Sequence, residues 1–371
     1  MIQQSKKIQK AIISGGGTGG HIFPAIAIAD EIKRRNPNAE ILFVGAEGKM
    51  EMEKVPAAGY EIKGLPIAGF QRKFTFSNFL LPFKIVGSMI KARKIVKSFK
   101  PEVAVGVGGY ASGPTLKAAT MIGVPSMVQE QNSFPGKTNK ILAKSVQTIC
   151  VAYEGLERFF PKSKIVLTGN PTRREMVSTE GKEVEGYDFY GFDPSKKTVL
   201  IIGGSLGART LNESVIANLE KLKRSGVQVL WQCGKLYHDK LQEELKNTDL
   251  GSIKMVQFIT RMDLAYAIAD VVISRAGAIS VSELCLVKKP TILVPSPNVA
   301  EDHQTKNAMA LVEKNAAVLV RDVEAKEKMI DEVLHLLSDE AKCETLRMNI
   351  TLLGKPDATA SIVDELEKLI K

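Results

Sequence analysis

Short apolar runs rich in β-branched residues recur along the chain, and the segments between them carry apolar residues about every 3.6 positions. Each run predicts a buried strand, and each segment between two runs predicts a helix. We predict strands at 11–13, 41–44, 103–107, 126–128 and 148–151, and in the second half at 198–202, 227–231, 254–258, 271–274, 291–294 and 317–320. The helical spacing is illustrated by Leu211, Val215, Leu219 and Leu222. Strands that alternate with helices favour an α/β fold with doubly wound parallel sheets.

The chain divides into two similar halves, because each half opens with a strand, a glycine-rich turn and a helix. The turns are GGGTGGH after the first strand and GGSLGAR after the strand at 198–202. Residues 169–197 interrupt the alternation with an Asn-Pro pair, a charged stretch and further Gly and Pro residues, so we place the linker there. We therefore predict two Rossmann-like domains, 1–168 and 169–371, which face each other across a cleft. The last helix is free to pack back on the first domain.

Composition and charge narrow the class of protein. With 371 residues, 44% hydrophobic and 25% charged, the chain fits a folded protein of two domains. Its apolar runs fall short of the roughly 20 residues that a spanning helix needs, and the first residues show no export signal. Four widely spaced cysteines favour a reducing cytoplasm and argue against a structural zinc site. The net charge of +10 indicates an anionic partner.

The first glycine-rich loop has the G-x-G-x-x-G spacing of dinucleotide-binding proteins at Gly15, Gly17 and Gly20. Such glycines permit close backbone approach, and the following helix directs its unpaired N–H groups at an anion. A tight turn alone, or a dehydrogenase that holds a ribose with Glu47, would also explain this loop. Three further loops, at 108–114, 203–209 and 275–278, favour two pyrophosphate-bearing substrates over a single dinucleotide.

Polar residues beside these loops are candidates for chemistry. His21 ends the first loop, where a helix N-terminus favours a neutral imidazole that could act as a general base; a helix cap or a phosphate donor is the alternative. Glu283, Asn132 and Gln304 suit ribose and sugar hydroxyls, although each alone is also typical of an ordinary surface position. The sequence contains no Asp-x-Asp, so we expect helix ends, Ser205 and arginines to neutralise a diphosphate without a metal.

The ordered motifs GGGTGGHIFPA, GVGGYASGP, EQN, GNPTR, GGSLGAR and SRAGAISVSE resemble those of the MurG family of glycosyltransferases. The resemblance extends from about Ala11 to about Asn307, and it is looser to other transferases of the GT-B architecture. It implies an inverting transfer of N-acetylglucosamine from UDP-N-acetylglucosamine to the lipid-linked muramyl-pentapeptide (lipid I). The product would be lipid II, for peptidoglycan synthesis and cell-wall biogenesis. The resemblance implies neither a cofactor nor a metal.

The resemblance also implies roles for individual residues, with His21 as the general base. The residues that would bind UDP-N-acetylglucosamine are Thr18, Gly19, Gly20, Asn132, Arg173, Ser205, Ile259, Arg275, Ala278, Ile279, Ser280, Val281, Ser282, Glu283 and Gln304. The acceptor diphosphate would meet two loops of the first domain, at Gly15, Gly16, Gly17, Gly108, Gly109, Tyr110 and Ser112. The family pattern has His in many members at the position of Gln129. This chain therefore lacks one histidine that could have acted as an acid or a base.

A basic, Phe-rich segment bears on the lipid nature of the acceptor. Residues 61–100 contain nine Lys or Arg, one acidic residue and six of the fourteen Phe. Aromatic residues among cations suit a surface that enters an anionic bilayer, so we predict a peripheral location at the cytoplasmic face of the inner membrane. The predicted membrane patch consists of Phe74, Phe76, Phe79, Leu80 and Phe83. The following positions at helical spacing are predicted to be core: Ile85, Val86, Met89, Ile90, Val96 and Phe99.

Three other classes of protein account for part of the sequence. A UDP-sugar epimerase would use the same nucleotide cleft. It would need neither a lipid-facing segment nor the second glycine-rich loop of the first domain. An NAD-dependent dehydrogenase explains one glycine-rich loop and leaves the other three without a role. A nucleic-acid-binding protein explains only the charge, so nucleic acid is not an expected partner. Other cell-wall synthesis proteins remain candidate partners.

Overall fold

Two compact units make up the protein. The computed structural model describes residues 7–67, 81–172 and 177–370, with the backbone alone at 81–84 and 300. One unit comprises Met1–Thr172 and Asp357–Lys371, and the other comprises Arg173–Pro356. Each unit contains one parallel sheet with helices between its strands. The predicted α/β fold class is therefore confirmed.

The first unit is built on a seven-stranded sheet. Its strands are β1 (Lys10–Ser14), β2 (Glu40–Ala46), β3 (Glu61–Leu65), β4 (Val103–Gly106), β5 (Ser126–Glu130), β6 (Thr148–Val151) and β7 (Ile165–Leu167). Their order across the sheet is β3-β2-β1-β4-β5-β6-β7. The winding reverses between β1 and β4, so the loops after these two strands open where α/β proteins bind ligands.

Five helices connect these strands within the described residues. They are α1 (Gly19–Arg35), α2 (Glu51–Ala57), α3 (Leu81–Phe99), α4 (Ser112–Met121) and α5 (Lys137–Leu142). Helix α1 buries one apolar face, including Ile22, Ile28 and Ile32, against the sheet. Its last turn carries Lys33, Arg34 and Arg35, cations that stabilise the negative end of the helix dipole.

The second unit is built on a six-stranded sheet with the order β10-β9-β8-β11-β12-β13. Its strands are β8 (Thr198–Ile202), β9 (Gln228–Gln232), β10 (Ile253–Val256), β11 (Val271–Ser274), β12 (Thr291–Leu293) and β13 (Val318–Leu319). Its helices are α6 (Glu183–Tyr190), α7 (Arg209–Ala217), α8 (Leu219–Ser225), α9 (His238–Glu244), α10 (Met262–Ile268), α11 (Ala278–Val287), α12 (His303–Val312), α13 (Ala325–Ser338) and α14 (Glu340–Leu353). The same crevice therefore recurs, here between β8 and β11.

Trp231 anchors the core of the second unit. The side chain is 0% exposed, and its indole N–H donates to Asn212 Oδ1 at 2.9 Å. Asn212 in turn donates to the carbonyl of Cys233 at 3.0 Å. The indole N–H and the Asn212 amide are therefore both hydrogen-bonded although they are buried. Helix α7 is thereby fixed against the carboxyl end of β9, beside the glycine-rich loop that precedes the helix.

The last helix, α15 (Ala358–Glu367), belongs to the first unit. Its residues Ile362, Val363 and Leu366 are buried in the same apolar cluster as α1. Arg35 donates to Asp364 at 2.6 Å and to Glu367 at 2.9 Å. An apolar face and a set of ion pairs therefore hold α15 on α1.

Several elements differ from the sequence prediction. The apolar spacing through Leu222 predicted one helix, but α7 ends at Ala217 and α8 begins at Leu219. The edge strands β3 and β7 were not predicted, because charged and glycine residues break the run in β3 and only three residues form β7. On α3, Ile85, Val86 and Ile90 are 43%, 58% and 67% exposed, so their interpretation as core was wrong. Val96 of the same set is buried, as expected.

The described residues contain no helix that is long and apolar enough to cross a membrane. They also contain no group of three or more His, Cys, Asp or Glu side chains that could hold a metal ion. Cys150 and Cys285 are buried free thiols. Burial raises the pKa of each of these two thiols to about 12, so both stay protonated at ordinary pH.

Candidate functional site

The first glycine-rich loop, residues 15–18, joins β1 to α1 and leaves no room for a side chain at its first two positions. A Cβ atom on Gly15 would lie 2.1 Å from Val107 Cγ2, and one on Gly16 would lie 2.2 Å from the carboxylate of Glu51. Gly17 adopts a φ of +85°, which L residues rarely adopt. The glycines at these positions are therefore required by contacts beneath the loop as well as by its turn.

The second loop, residues 107–111, follows β4 and packs directly on the first. Val107 N–H donates to the carbonyl of Ser14 at 2.9 Å. Gly108 and Gly109 have φ values of +98° and +87°, and a Cβ atom on Gly109 would lie 2.4 Å from the carbonyl oxygen of Gly16. The two predicted phosphate loops of the first unit thus form one surface, made mainly of backbone.

Three of the predicted residues border this surface. Ser112 is buried and donates to the carbonyl of Gly109 at 3.2 Å, so its hydroxyl stabilises the loop. Tyr110 is 48% exposed, and Thr18 is the N-cap of α1. The N–H groups of the first turn of α1 begin at Gly19 and Gly20, at the positive end of the helix dipole.

His21 lies in the first turn of α1, between the two loops. Its Nδ1 atom is 3.0 Å from the carbonyl oxygen of Gly16 and 3.4 Å from Thr18 Oγ1. Because a carbonyl only accepts, Nδ1 carries a proton in this arrangement, so in the neutral form of the ring the lone pair is on Nε2. A Cβ atom on Gly108 would lie 2.8 Å from Nε2, which places the ring against the second loop.

Asn132 is held by a buried carboxylate. Glu130, at the end of β5 and 1% exposed, accepts from Asn132 N–H at 3.0 Å and from its side-chain amide at 3.2 Å. Glu130 also accepts from Gly136 N–H at 3.1 Å and from Asn139 Nδ2 at 2.8 Å. One carboxylate therefore fixes the whole turn after β5, and with it the position of Asn132.

Gln129 links β5 to the segment that follows β7. It is fully buried, and its amide donates to Asn170 Oδ1 at 3.0 Å. Asn170 donates back to the carbonyl of Gln131 at 3.0 Å. Gln129 is a side chain that does not titrate, and its contacts are structural.

In the second unit a cavity of about 600 Å³ opens at the carboxyl ends of β8 and β11. Residues 203–210, 274–280 and 296–304 contribute to its wall. The predicted residues that line it are Arg275, Ser280 and Gln304. Two helices, α7 and α11, begin at this wall, and neither has an acidic residue in its first turn. The cavity therefore meets two positive helix ends, an arrangement that suits a diphosphate.

The glycine-rich loop of the second unit is as tightly packed as that of the first. A Cβ atom on Gly207, whose φ is +91°, would lie 2.2 Å from the carbonyl oxygen of Cys233. The carbonyl of Ser205 accepts from Lys235 N–H at 3.0 Å, while the Ser205 side chain is exposed. Its hydroxyl is therefore accessible to a ligand at this loop.

Arg275 is paired inside the cavity. Its guanidinium donates to Asp322 and to the carbonyl of Val294, the latter at 2.9 Å. Asp322 also accepts from Thr210 Oγ1 at 3.0 Å, and all three side chains are at most half exposed. The sequence did not point to Asp322, because the residue lies in a short turn after β13 and belongs to no motif.

Gln304 supports the opposite wall of the cavity. Its Oε1 atom accepts from Ser296 N–H at 2.8 Å. Helix α12 begins just before it, after two non-glycine residues, Glu301 and Asp302, that both have a φ of +53°. Such backbone conformations are costly and occur where the surrounding structure holds them, often at ligand sites.

The remaining predicted residues lie on α11 or beside it, or outside the described residues. Val281 is buried, Ser282 donates to the carbonyl of Ala278 at 3.1 Å, and Ile259 is buried in the loop after β10. Burial, with a smaller contribution from Glu283, raises the pKa of Tyr266 well above its usual range. Ile279 lies in the first turn of α11. The positions outside the described residues are Arg173, Phe74, Phe76, Phe79 and Leu80, and Phe83 lies in α3.

Comparison with known proteins identifies two matching family models. Residues 11–151 match the glycosyltransferase family 28 N-terminal domain, and residues 198–362 match the glycosyltransferase family 28 C-terminal domain. A protein of Phocaeicola vulgatus is 55% identical over 361 residues, which cover 97% of this chain and 96% of that protein. Its name is UDP-N-acetylglucosamine--N-acetylmuramyl-(pentapeptide) pyrophosphoryl-undecaprenol N-acetylglucosamine transferase.

Two solved structures place the fold. A crystal structure of MurG from Acinetobacter baumannii is similar with a TM-score of 0.79 and 28% identity, covering 97% of this chain and 99% of that one. A UDP-GlcNAc 2-epimerase from Neisseria meningitidis has a TM-score of 0.67 and 16% identity, covering 97% and 100%. At that identity the likeness to the epimerase concerns the fold alone.

Proposed function

This chain belongs to glycosyltransferase family 28 and, within it, to the MurG family, and we propose that it transfers N-acetylglucosamine from UDP-N-acetylglucosamine to the lipid-linked muramyl-pentapeptide. The product is lipid II, the precursor used in peptidoglycan synthesis. One observation carries the proposal: 55% identity to a named transferase over 97% of the chain. The glycine-rich loops in both units agree with it, because a nucleotide diphosphate and a lipid diphosphate each need a site.

The donor is assigned to the cavity of the second unit. The positive ends of α7 and α11 offer N–H groups to its diphosphate, without a metal. The amide of Gln304 lies on the cavity wall and suits hydroxyls of the sugar. Glu283 on α11 suits the ribose, and the main chain at Ile259 suits the uracil. Arg173 and Ser205 complete the set on the diphosphate.

The acceptor diphosphate is assigned to the backbone surface of the first unit. Tight glycine packing brings the two loops together there, beside the first turn of α1. His21 borders this surface and serves as the general base in the proposal. Since Nδ1 donates to the Gly16 carbonyl, Nε2 is the atom that accepts the proton.

The chemistry is a single displacement. The acceptor hydroxyl oxygen attacks the anomeric carbon of the donor, and its proton passes to Nε2 of His21. The bond from that carbon to the diphosphate breaks, and UDP leaves from the opposite face with the negative charge. Inversion at the anomeric carbon follows. The helix N-termini in the second unit stabilise the charge that develops on the leaving group.

A peripheral position on an anionic membrane belongs to the proposal. On α3 the exposed apolar side chains Ile85, Val86 and Ile90 are accompanied by basic residues at 91, 93, 94 and 97. Apolar side chains that enter a bilayer beside cations that meet anionic headgroups are typical of interfacial helices. We place the chain at the cytoplasmic face of the inner membrane, where a lipid-linked acceptor and a nucleotide sugar are both available.

The test is release of UDP from UDP-N-acetylglucosamine, with and without a short-chain analogue of the lipid-linked acceptor. We expect release that depends on the acceptor, with the sugar recovered on the analogue. Release of UDP without acceptor, together with a new UDP-sugar epimer, would indicate the epimerase that the fold also accommodates. Tight donor binding with no release in either condition would indicate a UDP-sugar transferase with a different acceptor.

A further inference from the structure

Glu51 lies buried beneath the first glycine-rich loop. It begins α2, it is 1% exposed, and its oxygens accept from Gly17 N–H at 2.8 Å and from Ala46 N–H at 3.0 Å. Each of the two carboxylate oxygens thus accepts from one backbone N–H, one on the first glycine-rich loop and one at the end of β2. The nearby Glu47 and Glu53 pair with lysines, whereas, in the part of the chain that the structure describes, Glu51 forms no ion pair.

A single residue separates this carboxylate from the candidate base. A Cβ atom on Gly16 would lie 2.2 Å from the Glu51 carboxylate, and the carbonyl oxygen of Gly16 lies 3.0 Å from Nδ1 of His21. Covalent geometry then limits the distance between carboxylate and imidazole to about 9 Å. The space between them holds protein backbone, so the negative charge is poorly screened from the ring.

We propose that Glu51 is a positioning and electrostatic residue for His21: it fixes the loop whose carbonyl orients the imidazole, and its charge raises the proton affinity of that imidazole. This inference rests on the proposed function, because it assigns His21 the role of base. A proton that arrives on Nε2 makes an imidazolium, and the buried carboxylate stabilises that cation. The N-terminus of α1 acts in the opposite sense, since its positive end disfavours a cationic ring.

Other titratable groups stand further along α1, after β2, on the second loop and after β5. On α1, Asp30 accepts a hydrogen bond from a tyrosine hydroxyl well along the helix. After β2, Glu47 is half exposed and forms an ion pair with a lysine. On the second loop, Tyr110 is a half-exposed phenol, and after β5 the carboxylate of Glu130 is occupied by donors of its own turn.

The closing experiment is the pH profile of kcat/KM for the acceptor analogue in the full-length Glu51→Gln variant. Gln keeps the size of the side chain and removes the charge, and its single amide oxygen can accept from one of the two backbone N–H groups that Glu51 bonds. A deprotonated base is active, so activity rises with pH through the titration of His21, and a weaker base moves this limb to lower pH. We expect the midpoint to fall by about one pH unit, as a charge at this distance predicts. The plateau rate should fall roughly threefold to tenfold, because a weaker base accepts the proton less readily.

Glu53→Gln is the matched control. It removes the same charge from the same helix, but Glu53 is exposed and pairs with Lys54. Its profile should superimpose on that of the wild type, because solvent screens an exposed charge. A lower rate in Glu51→Gln with an unmoved limb would overturn the electrostatic role and leave Glu51 only its support of the loop.

A second measurement does not depend on turnover or on the Glu51→Gln variant. The wild-type protein labelled in its histidine rings can be titrated by NMR, with the His21 signal assigned by its loss in His21→Gln. A midpoint at or above about 6.5, the value of a free histidine, supports the proposal, because the helix end alone would lower it. A midpoint clearly below that value overturns it. Absence of acceptor-dependent UDP release in the wild type would refute the proposed transferase and leave this titration interpretable.

Discussion

At the residue scale, the Asp322 carboxylate neutralises Arg275. This arginine is one of the residues predicted to bind the donor, and it lines the cavity of the second unit. Asp322 receives hydrogen bonds from Arg275 and from Thr210, which fix the guanidinium at the wall of the cavity. It also brings a negative charge to a site proposed for a diphosphate. Two effects therefore oppose each other: the carboxylate positions Arg275, and it repels the ligand.

We expect Asp322→Asn to bind UDP more tightly, by roughly threefold to tenfold, because the amide oxygen still accepts while the repulsive charge is gone. Titration calorimetry at two salt concentrations measures this, and the gain should shrink at high salt. Glu324→Gln, on the same turn but paired with Lys328 and not on the cavity wall, is the control and should bind like the wild type. Weaker binding in Asp322→Asn would mean that positioning of Arg275 outweighs repulsion.

The structural role of a glycine is easier to predict from the sequence than the role of a carboxylate. Gly16, Gly109 and Gly207 were placed in loops from the motif alone, and each is confirmed as a position where a Cβ atom would collide with other atoms. Glu51 and Asp322 were not predicted. Each acts on a partner far away in the sequence, and no spacing rule reports which backbone N–H or arginine a lone carboxylate will meet in the fold.

At the element scale, Glu31 on α1 binds two arginines in the last turn of the same helix. Arg34 and Arg35 both donate to it, with N···O distances of 2.7 and 2.9 Å. The hydrogen bond from Arg34, against the opposing effect of burial and with help from Arg35, lowers the pKa of Glu31 from 4.5 to about 2. Since Arg35 also bonds two carboxylates of α15, this carboxylate takes part in joining the two helices.

The pH dependence of stability follows from that lowered pKa. A depressed carboxyl pKa contributes stability that is fully present above pH 4.5 and is lost as the pH falls toward about 2. We therefore expect Glu31→Gln to be less stable than the wild type at pH 6, and the difference to diminish between about pH 4.5 and 2. Denaturant unfolding at a series of pH values measures it. Glu40→Gln, whose exposed carboxylate pairs with Lys10 at the surface, should change little.

Helix α3 carries the prediction about the membrane. Val86 and Ile90 are 58% and 67% exposed, so replacing both with Ser removes solvent-exposed apolar surface. We expect the double variant to lose roughly tenfold in affinity for anionic vesicles, measured by co-sedimentation, with its fold unchanged. Leu352→Ser, a single change of the same kind at a 79% exposed position on α14, should bind like the wild type. Equal loss in both variants would mean that α3 is not a specific contact.

Helix periodicity explains why this face was misassigned. Apolar residues at helical spacing indicate one apolar side of α3, but they do not indicate what covers that side. Val96 and Ile95 do pack against the sheet, near the end of the helix. The spacing at Ile85, Val86 and Ile90 looked the same in the sequence, and only the structure separates the covered part of the helix from the uncovered part.

At the scale of the whole molecule, the cavity to which we assign the donor diphosphate lies within one unit. Every residue that lines the cavity falls within Arg173–Pro356, and that unit has its own core around Trp231. We expect a protein made of residues 173–356 alone to fold and to bind UDP with an affinity within about threefold of the full chain. Calorimetry and a thermal melt check this. A folded fragment that does not bind UDP would show that the first unit contributes contacts to the nucleotide.

The two-sheet architecture could be predicted because strands that are buried on both faces leave continuous apolar runs in the sequence. Five strands of the first sheet and all six of the second were found in this way. The edge strands β3 and β7 were not, since an edge needs fewer apolar residues. The packing of α15 on α1 was left open, because an amphipathic helix does not specify its partner.

The return of α15 to the first unit sets an order of assembly during synthesis. Ribosomes deliver the chain from its N-terminus, and the domain that emerges first is usually the first to fold. Here Ile362, Val363 and Leu366 belong to the core of the unit that begins at the N-terminus, yet they are translated after the entire second unit. The second unit is therefore able to fold while the first still lacks part of its core. A chaperone that shields the uncovered face of α1 would be needed most while residues 173–356 are being translated.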